Sequence, residues 1–268
     1  MTKNDKDALM IRPIAYIHSP FPEKFGIPRQ SGLANNLSEI HFYPKYRSID
    51  SLRGMDGFDY LWLIWGFSEN RKEDGFQPTV RPPRLGGNTR RGVFATRSPF
   101  RPNGLGLSSV RILSIDTKGA DAPVITVKGA DLMDGTPIYD IKPYIPYADS
   151  HADARGGFTE SYSGGSYRLD VVIDDSLWES LGGQKDPAGP SLSSLPADST
   201  VSEKEAVERR CQLFHALLPE LVSVLSEDPR PSYQHDENRI YGMKYKGFNV
   251  HFRVIGRKLH VLSAEECP

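Results

Sequence analysis

Cysteine is almost missing from this 268-residue sequence: Cys211 and Cys267 are the two present, far apart. Such a pair gives neither a disulfide framework nor metal-ligand spacing, and both thiols are expected to be reduced. The seven histidines (18, 41, 151, 215, 235, 251 and 260) are scattered without H-x-x-x-H or C-x-x-C partners, so no metal site is expected. Long apolar runs are missing as well. The longest, Tyr60-Leu-Trp-Leu-Ile-Trp-Gly-Phe67, has the length of a buried strand and falls far short of the roughly 20 residues of a membrane span. The first residues alternate charges with single apolar side chains and contain no leader-like apolar stretch, so a cytoplasmic protein is expected. No G-x-S-x-G elbow marks a hydrolase. Gly104-Leu105-Gly106 begins a dinucleotide loop but lacks its third glycine and precedes a strand-like run, which argues against a Rossmann domain.

Acidic residues and lysine are absent from one particular stretch. The net charge is only −1, yet between Val80 and Arg111 stand Arg81, Arg84, Arg90, Arg91, Arg97, Arg101 and Arg111 with no Asp, Glu or Lys among them. This is the footprint of a site for a polyanion or a phosphate-bearing ligand. The alternative is a solvated loop whose charge is compensated from elsewhere. Exclusive use of arginine beside Gly and Pro favours the first reading, because the planar guanidinium makes bidentate and stacking contacts that lysine cannot.

What the sequence does hold is a β pattern followed by a helical one. Short apolar runs at Pro13–Ile17, Ser38–Phe42, Tyr60–Phe67, Gly92–Thr96, Leu107–Ile115 and Pro123–Lys128 are separated by Gly, Pro and Asn clusters, as in a barrel or curled sheet. A Gly/Ser/Pro/Asp-rich segment follows, and then Ser202 and Glu205 form a capping-box pair ahead of Val207, Cys211, Phe214, Leu218, Leu221 and Leu225 at helical spacing. Two strand-like segments, Arg239–Tyr245 and Phe248–Ile255, meet at Lys246-Gly247 in the manner of a two-residue hairpin, with Lys258–Ser263 beyond. The fold expected is mainly β: an N-terminal β-barrel domain over 1–180, a flexible linker over 181–201 and a small α+β domain over 202–268.

Three segments put rigid turn residues beside hydrogen-bonding side chains: Gly26-Ile-Pro28-Arg29-Gln30, the block from Arg81 to Ser108, and the block from Asp131 to Ser150. Taken singly, each also reads as ordinary tight turns; together they point to a ligand site. They carry a resemblance. Pro28-Arg29-Gln30, RPPRLGGN at 81–88, GVFATRSPFRPN at 92–103, GLS at 106–108 and DGTPIYDIKPYIPYADS at 134–150 closely resemble the TrmO (YaeB/TsaA-like) tRNA methyltransferases. Asp228-Pro-Arg-Pro-Ser-Tyr233 and Arg239-Ile-Tyr-Gly-Met-Lys244 resemble that family's C-terminal domain. Two departures stand out. The family commonly has Pro-Ile where this chain has Gly104-Leu105, and a histidine followed by a polar residue where it has Ser68-Glu69.

The resemblance implies a homodimeric β-barrel that binds S-adenosyl-L-methionine without a Rossmann fold. It further implies methylation of N6 of N6-threonylcarbamoyladenosine at position 37 of a tRNA, tRNA-Thr being the expected acceptor. Carried over by matching position, the cofactor contacts would be Pro28, Arg29, Gln30, Ser68, Glu69, Arg97, Leu107, Asp134, Gly135, Thr136 and Pro137. Asp134, Asp140, Asn103 and Tyr144 are the catalytic candidates, since a carboxylate accepting the N6 proton would localise the nitrogen lone pair as the bond forms. Arg81, Arg84, Arg90, Arg91, Arg101 and Lys142 are the expected contacts to the anticodon loop and the threonylcarbamoyl carboxylate, joined by Lys244 and Lys246. In the C-terminal module basic residues alternate with Tyr241, Tyr245, Phe248 and Phe252, which reads either as a tRNA grip or as a self-contained packing domain. Two competing functions stand beside this one: a non-catalytic RNA-binding barrel, and a methyltransferase acting on a small molecule or protein.

Overall fold

The computed structural model describes residues 8–67, 76–82, 89–162, 167–182, 201–231, 233–234 and 236–267. Six strands, β1 (Ala15–His18), β2 (Leu37–Phe42), β3 (Tyr60–Gly66), β6 (Leu105–Asp116), β7 (Val124–Lys128) and β8 (Pro137–Pro143), close into an antiparallel barrel in the order β1-β2-β7-β6-β3-β8. A separate ribbon pairs β4 (Thr79–Val80) with β5 (Arg91–Gly92). Alternation along β3 shows why the barrel forms. Leu61, Leu63 and Trp65 are buried, whereas Tyr60, Trp62 and Ile64 face outward, the period of two that burial of one face imposes. Ala15, Ile17, Ile40, Val110, Ile125, Val127 and Ile138 complete that core. Closure removes the exposed strand edges that an open sheet would leave.

A second core belongs to a four-stranded sheet, β10 (Tyr241–Tyr245), β11 (Phe248–Ile255), β12 (Lys258–Glu266) and β9 (Asp170–Ile173), in the order β10-β11-β12-β9. The hairpin expected at Lys246-Gly247 is formed. Both residues have positive φ, 44° and 81°, as a turn matched to the twist of its strands requires. Helix α3 (Val201–Leu225) lays Cys211, Phe214, Leu221, Val224 and Leu225 on this sheet. A short α1 (Pro146–Asp149) follows the barrel, and α2 (Asp175–Ser180) buries Leu177 and Trp178 in the second core.

Several expectations need correction. Gly92–Thr96 is not a strand: β5 stops at Gly92 and a 3-10 turn takes Val93–Ala95, because Val93 is drawn inward while its neighbours stay exposed. Ser202 lies inside helix α3 and so does not hold the cap position. Strand β9 was not foreseen, and the boundary after residue 180 differs from the packing. β9 pairs in parallel with β12, and Leu169, Leu177, Trp178 and Leu181 join the second core, where their apolar surface is covered. Most of the expected linker, 183–200, lies outside the described residues.

Candidate active site

Three loop segments and the start of β6 meet at Asp131. Trp65 Nε1 donates to Ser108 Oγ at 2.9 Å, and Ser108 Oγ donates to Asp131 Oδ1 at 2.5 Å. Burial pushes the Asp131 carboxyl above the usual carboxylate range, against the opposing pull of the Ser108 hydroxyl, its own backbone N–H, the Arg97 charge and the Ser31 N–H. Those partners place the 28–31 loop, the 96–101 loop, the start of β6 and the 129–136 turn around one carboxylate. Arg97 also donates to Gln30 Oε1, joining two of the expected cofactor contacts. Arg101 donates to the carbonyls of Thr96 and Ser98 at 3.0 and 3.4 Å and so holds its own loop in shape. Gly104, the departure from the family pattern, has φ of 59° and closes this loop through its N–H to Arg101 O at 3.2 Å. Proline has neither that φ nor that donor.

The turn that follows is fastened to the end of β1. Asp134 Oδ1 accepts the Ser19 N–H at 2.9 Å and lies 3.2 Å from His18 Nδ1. The Asp134 and Gly135 N–H groups donate to Phe21 O and Ile17 O, each at 2.8 Å, while Ser19 Oγ donates to Leu132 O at 2.8 Å. Gly135 has φ of 74°, the left-handed conformation that favours glycine. Asp134 and Gly135 are exposed at the rim, whereas Thr136 is buried and Pro137 opens β8. Of this quartet the first two are open to solvent and the last two anchor the turn.

Other expected residues lie elsewhere. In one row across the barrel wall Leu107 pairs with Ile64 and Ile64 with Asp140; in the next, Ser109 pairs with Trp62 and Trp62 with Lys142. Partners in a row share a face, and this face points away from the barrel interior. Leu107 is therefore exposed while Ser108 turns toward Asp131. Asp140 Oδ2 is paired with Lys142 Nζ at 2.9 Å, and Tyr144 packs on Trp62 and Tyr60 with ring centroids 5.7 and 6.2 Å apart. On the same face Asp149 accepts from the Ile145 N–H and from Trp62 Nε1, which hold its carboxyl below the usual range. The catalytic candidates thus divide: Asp134 stands at the loop cluster, Asp140 and Tyr144 on the outer wall, and Asn103 on the exposed loop before Gly104. Arg81, Arg90 and Arg91 are exposed, Arg91 lying 5.9 Å from the Phe158 ring. Ser68, Glu69 and Arg84 fall outside the described residues. Among the described residues no three His, Cys, Asp or Glu gather in a metal-binding group.

In the C-terminal domain Lys244 is exposed, but Lys246 Nζ donates to both oxygens of Glu220 at 2.9 Å and is engaged within the fold. The interleaved aromatics, Tyr241, Tyr245, Phe248 and Phe252, are core residues with at most 5% exposure, which favours the packing reading over a stacking surface. Sequence reasoning passed over Trp65, Ser108 and Asp131 as site residues. The available signal was Gly106, small enough to let a neighbouring ring close on the strand, directly before Leu107-Ser108.

A closed antiparallel barrel with a loop cluster at one end is not a dinucleotide fold. Comparison with known proteins gives the class. Residues 16–150 match the family model described as the tRNA-methyltransferase O N-terminal domain, and residues 196–266 match the TrmO C-terminal domain. The tRNA (adenine(37)-N6)-methyltransferase of Escherichia coli is 36% identical over 259 residues, covering 94% of this chain and 96% of that protein. A Pseudomonas aeruginosa relative whose name describes an S-adenosylmethionine-dependent methyltransferase is 36% identical over 244 residues, covering 90% of this chain and 91% of its own length. A crystal structure of TrmO superimposes with a TM-score of 0.67 and 28% identity over 96% of this chain and 99% of that one. These findings define a tRNA methyltransferase built on a β-barrel. The chain belongs to the TrmO family.

Proposed function

We propose that this protein transfers the methyl group of S-adenosyl-L-methionine to N6 of N6-threonylcarbamoyladenosine at position 37 of a tRNA, tRNA-Thr being the expected acceptor, and that it works as a homodimer. The observation that carries the reading is the convergence of Gln30, Arg97, Asp131 and the Asp134-Gly135 turn at one end of the barrel, within the segment that matches the family model. The polar set suits the cofactor's charges: Arg97 for its carboxylate and the half-buried Asp131 for its cationic groups. When bound, the cofactor supplies an electrophilic methyl group on a sulfonium.

The chain's own task is then to orient and to handle one proton. Arg97 and Gln30 fix the loop against which the methionine end would rest, and the Gly135 backbone lets a ligand approach the turn closely. Asp134, exposed at the rim and steadied by Ser19 and His18, is the group best placed to accept the N6 proton. Arg81, Arg90 and Arg91 stay exposed to meet loop phosphates and the threonylcarbamoyl carboxylate. A guanidinium buried without that carboxylate would cost about 2–5 kcal/mol of binding, a factor of roughly thirty or more. Supporting a dimer, the outer wall carries Tyr60 and Leu107, 42% and 54% exposed, beside Trp62, Ile64 and Tyr144. A second copy would cover such a face.

The test is nucleoside mass spectrometry of tRNA after incubation with the protein and the cofactor, with and without prior threonylcarbamoylation and across a salt series. Methylation confined to the premodified tRNA is the expected result. Equal rates on both substrates would refute recognition of the modification, and light scattering at one chain mass, 29.9 kDa, would refute the dimer.

A further inference from the structure

The loop that carries Pro28, Arg29 and Gln30 belongs to the barrel by sequence but is built into the other core. Phe21 and Ala34 are buried in the C-terminal cluster, and Phe25 and Ile27 pack against it. The Phe25 ring lies parallel to those of Tyr241 and Phe252, each 6.4 Å away, and Phe21 meets Tyr245 edge-on at 5.7 Å. Gly26, at φ of 93°, approaches so closely that a Cβ there would lie 2.2 Å from Met243 Sδ. Both ends of the segment are tied to the same domain. The Lys246 N–H donates to Pro20 O at 3.2 Å, the Leu37 N–H donates to Glu220 Oε2 at 2.9 Å, and the Asn35 N–H donates to Ser223 Oγ at 2.8 Å.

At the centre of the segment Arg29 donates to Arg230 O at 3.1 Å and to Asp228 O at 3.5 Å. The turn that offers these carbonyls is itself braced. Asp228, at φ of 52°, accepts from Arg230 Nε and Nη2 at 2.8 and 3.0 Å. The next residue along the loop, Gln30, is the one that engages Arg97.

We infer that the C-terminal domain is a positioning element for the cofactor loop: the braced Asp228–Arg230 turn and the Tyr241, Met243 and Phe252 surface hold residues 28–31 in the shape that S-adenosylmethionine binding uses. This rests on the cofactor-site reading above. A loop ordered in advance does not lose that freedom on binding, so loosening it weakens the cofactor. Affinity for tRNA follows a different set of contacts.

The experiment uses full-length protein. S-Adenosylmethionine binding is measured by isothermal titration without tRNA, and tRNA binding separately without cofactor, for Phe25→Ala, Asp228→Ala, Asp228→Asn and Arg97→Ala. Far-UV circular dichroism checks each fold. Phe25→Ala and Asp228→Ala are expected to raise the cofactor Kd about tenfold while tRNA Kd stays within about twofold. Asp228→Asn, which tolerates positive φ and keeps an acceptor for Arg230, should stay within about threefold of the parent. Cofactor affinity unchanged in both alanine variants overturns the inference, as does a loss confined to tRNA. Should Asp228→Ala not fold, Phe25→Leu decides by the same measure. Arg97→Ala separates the two ideas: if it weakens the cofactor while the other variants do not, only the positioning role fails, and if it too binds normally, the site reading falls first.

Discussion

Gly106→Ala tests whether the Trp65–Ser108–Asp131 chain depends on the missing side chain at position 106. A Cβ there would lie 2.3 Å from Cε2, 2.4 Å from Cζ2 and 2.7 Å from Cδ2 of the Trp65 ring. That ring has little room to retreat. It is 8% exposed, meets Phe67 edge-on at 4.4 Å and donates to Ser108. Overpacking a filled core typically costs about 1–3 kcal/mol, and loss of the buried indole hydrogen bond adds about 1 kcal/mol, giving about 2–4 kcal/mol together. At roughly 2–4 °C per kcal/mol for a barrel of this size, Tm by scanning calorimetry should fall by roughly 4–16 °C, with a change in tryptophan fluorescence. Gly104→Ala is the control: its φ of 59° makes alanine strained, but nothing lies within 4 Å of the added Cβ. Trp65→Phe removes the fused ring nearest the clash, so it should partly rescue Gly106→Ala and leave Gly104→Ala unrescued. A Gly106→Ala protein with the parent's Tm, or strictly additive effects in the double variant, would refute the reasoning.

Asp131→Asn should act on stability in a pH-dependent way. Burial raises the Asp131 carboxyl above its ordinary value, so its favourable contribution is complete below about pH 4 and is lost as pH rises through the raised folded value. The Asn variant should therefore gain in Tm over the parent at pH 8 and lose that advantage on acidification; an advantage that grows on acidification would contradict the assignment. Lys246→Ala should lower Tm, because Glu220 loses its cation, without changing the salt dependence of tRNA binding. Lys244→Ala should reduce the slope of log K against log salt by roughly 0.7–0.9 and leave Tm nearly unchanged. The reverse pattern, measured by filter binding across a salt series, would restore Lys246 as a phosphate contact.

The barrel was legible because one-sided burial writes a local signature. Leu61, Leu63 and Trp65 alternate with Tyr60, Trp62 and Ile64 within seven residues, and the Lys246-Gly247 turn sits between two such alternations. Strand β9 was not legible for the opposite reason. Asp170–Ile173 is four residues long and acquires its identity from β12, nearly ninety positions away. The site was half legible. Resemblance picked out Gln30, Arg97 and Asp134, which the structure brings to one end of the barrel, but not that Leu107 would turn outward while Ser108 turned in, since a one-residue difference in register exchanges the two faces of a strand. Arg29 illustrates the same limit at longer range: it read as a cofactor contact, yet its guanidinium reaches carbonyls about two hundred residues further along the chain.

The C-terminal strands show how an interleaved pattern misleads. Basic and aromatic residues in turn suggest a surface on which bases stack between cations, but in a strand adjacent side chains point to opposite faces. Tyr241, Met243 and Tyr245 are buried where Gly242 and Lys244 face out, and Phe248, Val250, Phe252 and Val254 are buried where Asn249, His251 and Arg253 face out. Interleaving at a spacing of one therefore separates the two kinds of side chain, whereas a stacking platform needs aromatics at i and i+2 on the wet face. The outward face holds Lys244, Arg253 and Lys258 with Asn249, His251 and His260, set against Glu265 and Asp170, and this mix of charges without Phe, Tyr or Trp suits ionic contact better than base stacking. Any grip of this face on tRNA is then predicted to weaken with salt and to be indifferent to base identity. Discrimination among tRNAs would fall to the barrel's arginine loops and the site they surround. A tRNA-binding series in which Arg253→Ala changed preference between two anticodon-loop sequences, at constant salt, would contradict that division of labour.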